Sequence, residues 1–262
     1  MGNRKLKVII LAGGWGTRLG RQSEEVPKPM VKIGNKPVVW HIMKTYSHYG
    51  FNNFIISCGV KANVIKNYFA NYKSFNEDFT INMQNEKIEY HSNHNERDWI
   101  VSLVDTGLNT LKGARIKRLE EYLDDEINMV TYGDGVADIN IAELLSFHKS
   151  HGKTITITGV HPNARFGELI EKNGKVLSFE EKPQTSVGLI NGGYMVFNKN
   201  LLNYLNTDEN CDLEIGPLEK LTKLGEVMVY KHDGKWECMD HERDVIRLNN
   251  LWNNNNAFWK VW

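Results

Sequence analysis

The sequence predicts an α/β fold, a mostly parallel sheet with helices on both faces, extended by a β-rich portion and a C-terminal helical segment. Three observations carry this. Short apolar runs alternate with longer amphipathic stretches through the first half of the chain, the rhythm of repeated strand–helix units. The first run, Lys7 to Leu11, is continuous rather than alternating, as a strand covered on both faces must be. Beyond Val160 the rhythm changes to short runs around turn dipeptides, which signals hairpins. No internal repeat or linker composition divides the chain. It reads as one unit over residues 1–262, with portions at about 6–160 and about 161–262.

Each element has a local reason. Pro37 suits a first helical position, and Val38, Val39, Ile42, Met43 and Tyr46 make one apolar stripe that Gly50 ends. A helix from Pro37 to Tyr49 follows. Phe54 to Ser57 is the next strand, and Lys61 to Tyr72 a helix with Val64, Ile65, Tyr68 and Phe69 inward. Phe79 to Met83, Lys87 to His91 and Ile100 to Val104 read as short strands, and Asn109 to Leu123 as a helix. Ile127 to Tyr132 is a strand that stops at Gly133-Asp134-Gly135, followed by a helix from Ile141 to His151 and a strand from Thr154 to Val160. Glu168 to Glu180 alternates around Asn173-Gly174, a hairpin signal. Leu189 to Phe197 is a strand, Leu213 to Leu224 a helix, and Val227 to Met239 two strands around Asp233-Gly234. Glu242 to Trp252 is the last helix.

Composition limits what the chain can be. Lys plus Arg and Asp plus Glu each number 32, so the net charge is zero, and 41% of residues are hydrophobic. That excludes disorder as the main state. It also argues against a general nucleic-acid partner, so any polyanion site is local. No apolar run reaches the roughly 18 residues of a membrane span. Val8 to Ala12 leads straight into glycines and Arg18, as a buried strand entering a loop does and a secretory leader does not. Cys58, Cys211 and Cys238 are odd in number and form no CxxC pair, which fits reduced thiols in the cytoplasm. The tail, with Trp252, Phe258, Trp259 and Trp262, reads as a core strap or a subunit contact. Exposed, it would be a sticky patch, so burial is expected.

The segment after the first strand, Leu11-Ala12-Gly13-Gly14-Trp15-Gly16-Thr17-Arg18-Leu19-Gly20, concentrates the chemistry. Glycines let backbone N–H groups converge on a phosphate. Read alone, such a run is also an ordinary tight turn. A P-loop is excluded because no Lys follows the last Gly. A dinucleotide fingerprint fits poorly: Leu19 stands where its third Gly belongs, and Phe54 to Ser57 ends in Cys58-Gly59 without a ribose-binding acid. Arg18 lies inside the loop and Lys28 is held between Pro27 and Pro29, which fixes its backbone.

Asp134, between two glycines at a strand's carboxyl end, lies on the edge where open α/β sheets bind ligands. Alone it would be a turn residue; beside a phosphate loop it reads as a Mg²⁺ ligand. Mg²⁺ takes one or two carboxylates with phosphate oxygens and water. Asp240 is the expected second acid, its competing role being the N-cap of the next helix. Lys182, in Glu181-Lys182-Pro183, could meet a second phosphate, and Glu181 and Asn191 could bond ligand hydroxyls. The nine histidines show no HxxxH or HExxH spacing, which argues against zinc. No GxSxG elbow supports acyl transfer.

Together these segments resemble the sugar-1-phosphate nucleotidyltransferases, and most of all their glucose-1-phosphate cytidylyltransferase branch. The resemblance runs nearly end to end. It includes Lys36-Pro37 to Met43, Asp105-Thr106-Gly107, Tyr132 to Asp138, Phe179 to Pro183, Ile190 to Gly193, and Cys238-Met239-Asp240 with Arg243-Asp244. It implies a Rossmann-like nucleotidyltransferase sheet, with nucleotide in the first portion and sugar phosphate in the second. Leu11, Ala12, Gly13, Gly14, Gly16, Thr17, Arg18, Arg115 and Gly133 would contact the nucleotide. Arg18 and Lys28 would be catalytic. Glu181, Lys182, Asn191 and Gly193 would face the sugar phosphate, and Asp134 and Asp240 would hold Mg²⁺. The implied reaction joins CTP and a hexose 1-phosphate, glucose 1-phosphate first, in a cytoplasmic homo-oligomer. The alternatives are dTTP or UTP, another phosphorylated acceptor, or a nucleotide-sensing protein without catalysis. Two departures stand out: His241-Glu242 replaces the family's usual Thr-Leu, and Gly216 stands where relatives often carry an acid before Pro.

Overall fold

The computed structural model describes residues 6–16, 19, 25–92, 95–124, 126–162, 168–180 and 188–262, with 168–172 and 178–180 described by backbone alone. The central element is a seven-stranded sheet. In chain order its strands are β1 (Val8–Leu11), β4 (Asn53–Cys58), β7 (Ile100–Asp105), β8 (Ile127–Tyr132), β10 (Ile155–Val160), β13 (Ile190–Asn198) and β14 (Val227–His232). Their spatial order is β14-β10-β13-β8-β1-β4-β7. Every pairing is parallel except the two made by β13. Small ribbons complete the strand set: β2 (Lys32–Ile33) with β3 (Lys36–Pro37), β5 (Phe79–Asn82) with β6 (Lys87–Tyr90), β9 (Gly135–Ala137) with β15 (Trp236–Cys238), and β11 (Glu168–Lys172) with β12 (Lys175–Glu180).

Alternation along β1 divides the core. Val8 and Ile10 join one apolar cluster, while Ile9 joins the other with its register partners Ile55 and Val130. The first cluster receives α1 (Val38–His48), α5 (Ile141–His151) and α7 (Glu242–Asn253) through residues such as Ile42, Leu144 and Leu248. The second receives α4 (Lys112–Lys117) and α6 (Glu219–Lys223) through Ile116 and Leu221. Both sheet faces are therefore helix-covered, which is why β1, inside the sheet, reads as an unbroken apolar run. In α1, Val38, Val39, Ile42, Met43 and Tyr46 are all buried. In α5, Asn140 Oδ1 accepts from the Glu143 amide at 3.1 Å, and Gly152 ends the helix at φ +65°.

The structure corrects several expected elements. Asn109 to Leu123 is only partly α-helical: α4 is followed by a short 3₁₀ turn over Glu120–Tyr122. Lys61 to Tyr72 divides into α2 (Ala62–Ala70) and α3 (Tyr72–Asn76), and only Ile65 of its inward residues is fully buried. The helix expected from Leu213 breaks at Ile215 and Gly216, leaving regular turns only in α6. Gly216 adopts φ +95° just before Pro217, which cannot continue a helix from behind. Val227 to Met239 forms the two expected strands around Asp233-Gly234, but they do not pair with each other. β14 pairs with β10, whereas β15 crosses to β9. Around Asn173-Gly174 the expected hairpin is present, with both residues at positive φ.

The C-terminal tail is a core strap. Trp259 is fully buried and donates from Nε1 to His41 Nδ1 at 3.3 Å. Trp252, Phe258 and Trp262 pack against the same cluster.

Candidate active site

A cavity of about 580 Å³ opens at the carboxyl ends of β1 and β8, the crevice where a doubly wound sheet binds ligands. The glycine loop forms one wall. Ala12 N donates to Ser57 O at 3.0 Å, and Gly13 O accepts from Val60 N at 3.2 Å. A Cβ at Gly13 would come within 2.1 Å of Arg115 Nη1 and would force the guanidinium out of its place. Gly133 forms the opposite wall, where a Cβ would lie 2.7 Å from Leu11 O and 2.8 Å from Pro29 Cγ. That close approach seats the Pro27–Pro29 turn against the strand ends and brings Lys28 to the cavity.

Pairing of β15 with β9 sets Cys238 opposite Gly135, and Met239 N donates to Asp134 O at 2.9 Å. Asp240 is thus delivered beside Asp134. The Lys28 ammonium lies between them, 2.5 Å from Asp134 Oδ2 and 2.6 Å from Asp240 Oδ1. Its side chain is only 13% exposed. Burial alone would lower its pKa, but charge and hydrogen bonding from Asp134, then Asp240, hold it above the ordinary lysine value. Asp240 is not the cap of α7; His241 holds that position. Instead Asp244 Oδ2 accepts from the backbone of Asp240 at 3.0 Å and of His241 at 2.8 Å. The Cys238 thiol donates to Asp240 Oδ2 at 3.4 Å, and burial pushes it up to about 12.

Arg115 is buried beneath the loop. Its Nη1 donates to Cys58 O, Thr106 Oγ1 and Gly107 O, and its Nη2 to Gly13 O and Leu108 O, all within 3.2 Å. Burial, then the neighbouring Arg118, lowers its pKa. One guanidinium fork therefore ties together the turns after β1, β4 and β7 while bordering the cavity.

On the far side, the Tyr132 hydroxyl donates to Glu214 Oε1 and accepts from Asn191 Nδ2 at 3.0 Å. Asn191 Oδ1 accepts from Gly193 N at 2.9 Å, and Lys112 Nζ meets Glu214 Oε2 at 2.9 Å. Burial, then Glu214, pushes the tyrosine well above its usual range.

Of the sequence-derived candidates, Leu11, Ala12, Gly13, Gly14, Gly16, Lys28, Arg115, Gly133, Asp134, Asn191 and Asp240 all border this one cavity. Gly193 lies just behind Asn191, its Cα against the Tyr132 ring. Thr17, Arg18, Glu181 and Lys182 fall outside the described residues. Sequence reasoning missed Glu214 and Lys112, which no motif marks, and it named Tyr132 and Asp244 only within resembling segments, without their contacts. It also passed over Trp15, 57% exposed on the loop at the cavity wall.

Two carboxylates converging on one cation suit a divalent ion, the ammonium standing where such an ion would be held. No group of three or more His, Cys, Asp or Glu side chains is arranged for a metal among the described residues. Two carboxylates without a third His, Cys or acid would suit Mg²⁺, which takes its other ligands from phosphate and water, better than zinc.

The sequence pattern of the nucleotidyl transferase family matches residues 7–258. The chain belongs to that family. This nucleotidyl transferase is 46% identical over 258 residues to the glucose-1-phosphate cytidylyltransferases of Salmonella typhimurium and Salmonella typhi, covering 98% of this chain and 100% of each relative. Its fold is similar to that of HddC from Yersinia pseudotuberculosis, with a TM-score of 0.67 at 23% identity over 94% of this chain and 99% of the other. The expected α/β architecture of a nucleotidyltransferase is the one observed. Among the described residues, no helix of the nucleotidyl transferase is long and apolar enough to cross a membrane.

Proposed function

We propose that the protein transfers the cytidylyl group of CTP to α-D-glucose 1-phosphate, giving CDP-glucose and pyrophosphate. The observation that carries this is the meeting of Lys28, Asp134 and Asp240 beside a glycine loop, in a chain 46% identical to cytidylyltransferases over nearly its whole length. A phosphate oxygen of the sugar phosphate attacks the α-phosphorus as the bond to pyrophosphate breaks. Both substrates are anions, so the protein's work is alignment and neutralisation of charge.

The glycine loop offers backbone N–H groups to the triphosphate, held in shape by Arg115. Lys28, kept cationic by its neighbours, serves the reacting phosphates, and Arg18 the departing pyrophosphate. Glu181, Lys182, Asn191 and Gly193 take the sugar phosphate, with Tyr132 and Glu214 fixing the Asn191 amide. Asp134 and Asp240 would hold Mg²⁺, which when bound supplies positive charge to the phosphate oxygens. We place the enzyme in the cytoplasm as a homo-oligomer whose product is a glycosyl donor for polysaccharide biosynthesis.

The test is a matrix of four nucleoside triphosphates against several sugar 1-phosphates, read by pyrophosphate release. The expected maximum in kcat/KM is CTP with glucose 1-phosphate. A higher value for dTTP, UTP or another acceptor would replace this assignment, and no release from any pair would remove it.

A further inference from the structure

Lys28 is in demand at two places. Its ammonium sits between Asp134 Oδ2 and Asp240 Oδ1 at 2.5 and 2.6 Å, where a divalent ion shared by the two carboxylates would lie. The proposed reaction, on which this inference rests, needs the same ammonium at the phosphates. Two cations cannot occupy one position, and like charges in a half-buried site repel strongly.

The backbone offers no room to resolve the conflict. Lys28 lies between two prolines in a 3₁₀ turn, with Met30 N bonded to Pro27 O at 2.7 Å and Val31 N to Lys28 O at 3.1 Å. Only the side chain can move, and it borders the open cavity.

We propose that the Lys28 ammonium is the resident counter-ion of the metal site, which the divalent ion displaces when it enters with the nucleotide, and that the displaced ammonium then turns about its fixed backbone onto the reacting phosphates. Without ligands, Lys28 keeps the two carboxylates together. A metal arriving alone must expel an ammonium that has no anion to receive it, so it binds weakly. A metal arriving with a triphosphate meets no such opposition, because the phosphates receive the lysine. Metal and nucleotide therefore strengthen each other's binding by an equal factor. The exchange joins two events, filling the metal site and arming the lysine.

The experiment is a Mn²⁺ titration of the full chain followed by electron paramagnetic resonance of the free ion, without nucleotide and with CTP. Wild type is compared with Lys28→Met, and with Lys28→Gln as a second variant of different polarity. Both are checked for folding by circular dichroism. Without nucleotide, the variants should bind Mn²⁺ at least about tenfold more tightly than wild type. CTP should tighten Mn²⁺ binding in wild type by a larger factor than in the variants. The melting temperature should rise more with Mn²⁺ in the variants, whose two carboxylates no longer share the Lys28 ammonium.

Equal or weaker Mn²⁺ binding by both variants, with wild type binding normally in the presence of CTP, overturns the exchange while leaving the metal assignment intact. Failure of every protein to bind Mn²⁺ even with CTP overturns both. Asp240→Asn serves as the control that locates the ion, since it should abolish the tight binding seen in Lys28→Met when the two changes are combined.

Discussion

Lys28 meets three constraints at once: prolines on either side, Gly133 beneath its turn, and a carboxylate on each flank of its ammonium. None of these is visible in a lysine read alone. The pairing with Asp240 spans 212 positions in the chain, so the cluster exists only once the sheet has formed. Replacing Lys28 with Ala removes the cation that the proposed reaction brings to the phosphates, and kcat should fall by about 10² or more. Steady-state kinetics with saturating CTP and Mg²⁺ measure this, and near-normal turnover would remove Lys28 from the chemistry. Gly13 is the complementary case. The sequence marks it as a loop glycine, but the reason for glycine is the guanidinium of Arg115 lying against its Cα. The family resemblance placed Arg115 at the nucleotide. In the fold its donors are taken by the turns that shape the loop, so it reaches the site from beneath.

Single elements carry the next level of control. The ribbon of β9 and β15 is what sets Asp134 beside Asp240, and α7 fixes the second of these by its first turn. Asp244 accepts two backbone N–H groups there, one of them from Asp240 itself. Asp244→Ala should cost about 1 kcal/mol of stability as a lost cap. It should also raise the Mg²⁺ concentration needed for half-maximal rate, because Asp240 is no longer held. Asp244→Asn keeps one acceptor oxygen and should restore most of both, as urea unfolding and Mg²⁺-dependent rates will show. His241 stands at the cap of α7, and Asp244 completes a capping box with it. Strand β1 is legible in the sequence because burial on both faces leaves a continuous apolar run. The segment from Leu213 is not: its apolar spacing suits a helix, but Gly216-Pro217 breaks it, and the break puts Glu214 within reach of Tyr132. Likewise the sequence does not show that β15 leaves β14 instead of pairing back on it. A turn at Asp233-Gly234 allows that, but Gly234 packs tightly against Asp138 and His232, and the chain continues to β9.

At the scale of the whole molecule, stability and pH are joined through the tail. His41 is fully buried, its Nε2 against Ile33 O at 3.0 Å and its Nδ1 facing the Trp259 indole N–H. Burial lowers its pKa to about 4. The unfolded chain takes up a proton near the ordinary value of about 6.5, whereas the native chain refuses it until about 4. Stability is therefore complete above that ordinary value and falls as pH drops through the interval. His148, buried between Thr156 and Asn198 and also lowered by burial, adds in the same direction. Urea unfolding at pH 7.5 and 5.0 should differ by about 2 kcal/mol from His41 alone. His41→Gln, which cannot titrate, should flatten the dependence, and an unchanged slope would show that His41 is not its source.

The same tail has a mechanical side. Trp259 is locked under α1, Trp252 leans on Gly34 at the end of α7, and α7 begins with the carboxylate that grips the backbone of Asp240. The last residues thus form a lever whose short arm ends at the chemistry. A substitution that loosens Trp259 would therefore reach Asp240 through α7 as well as the packing around α1.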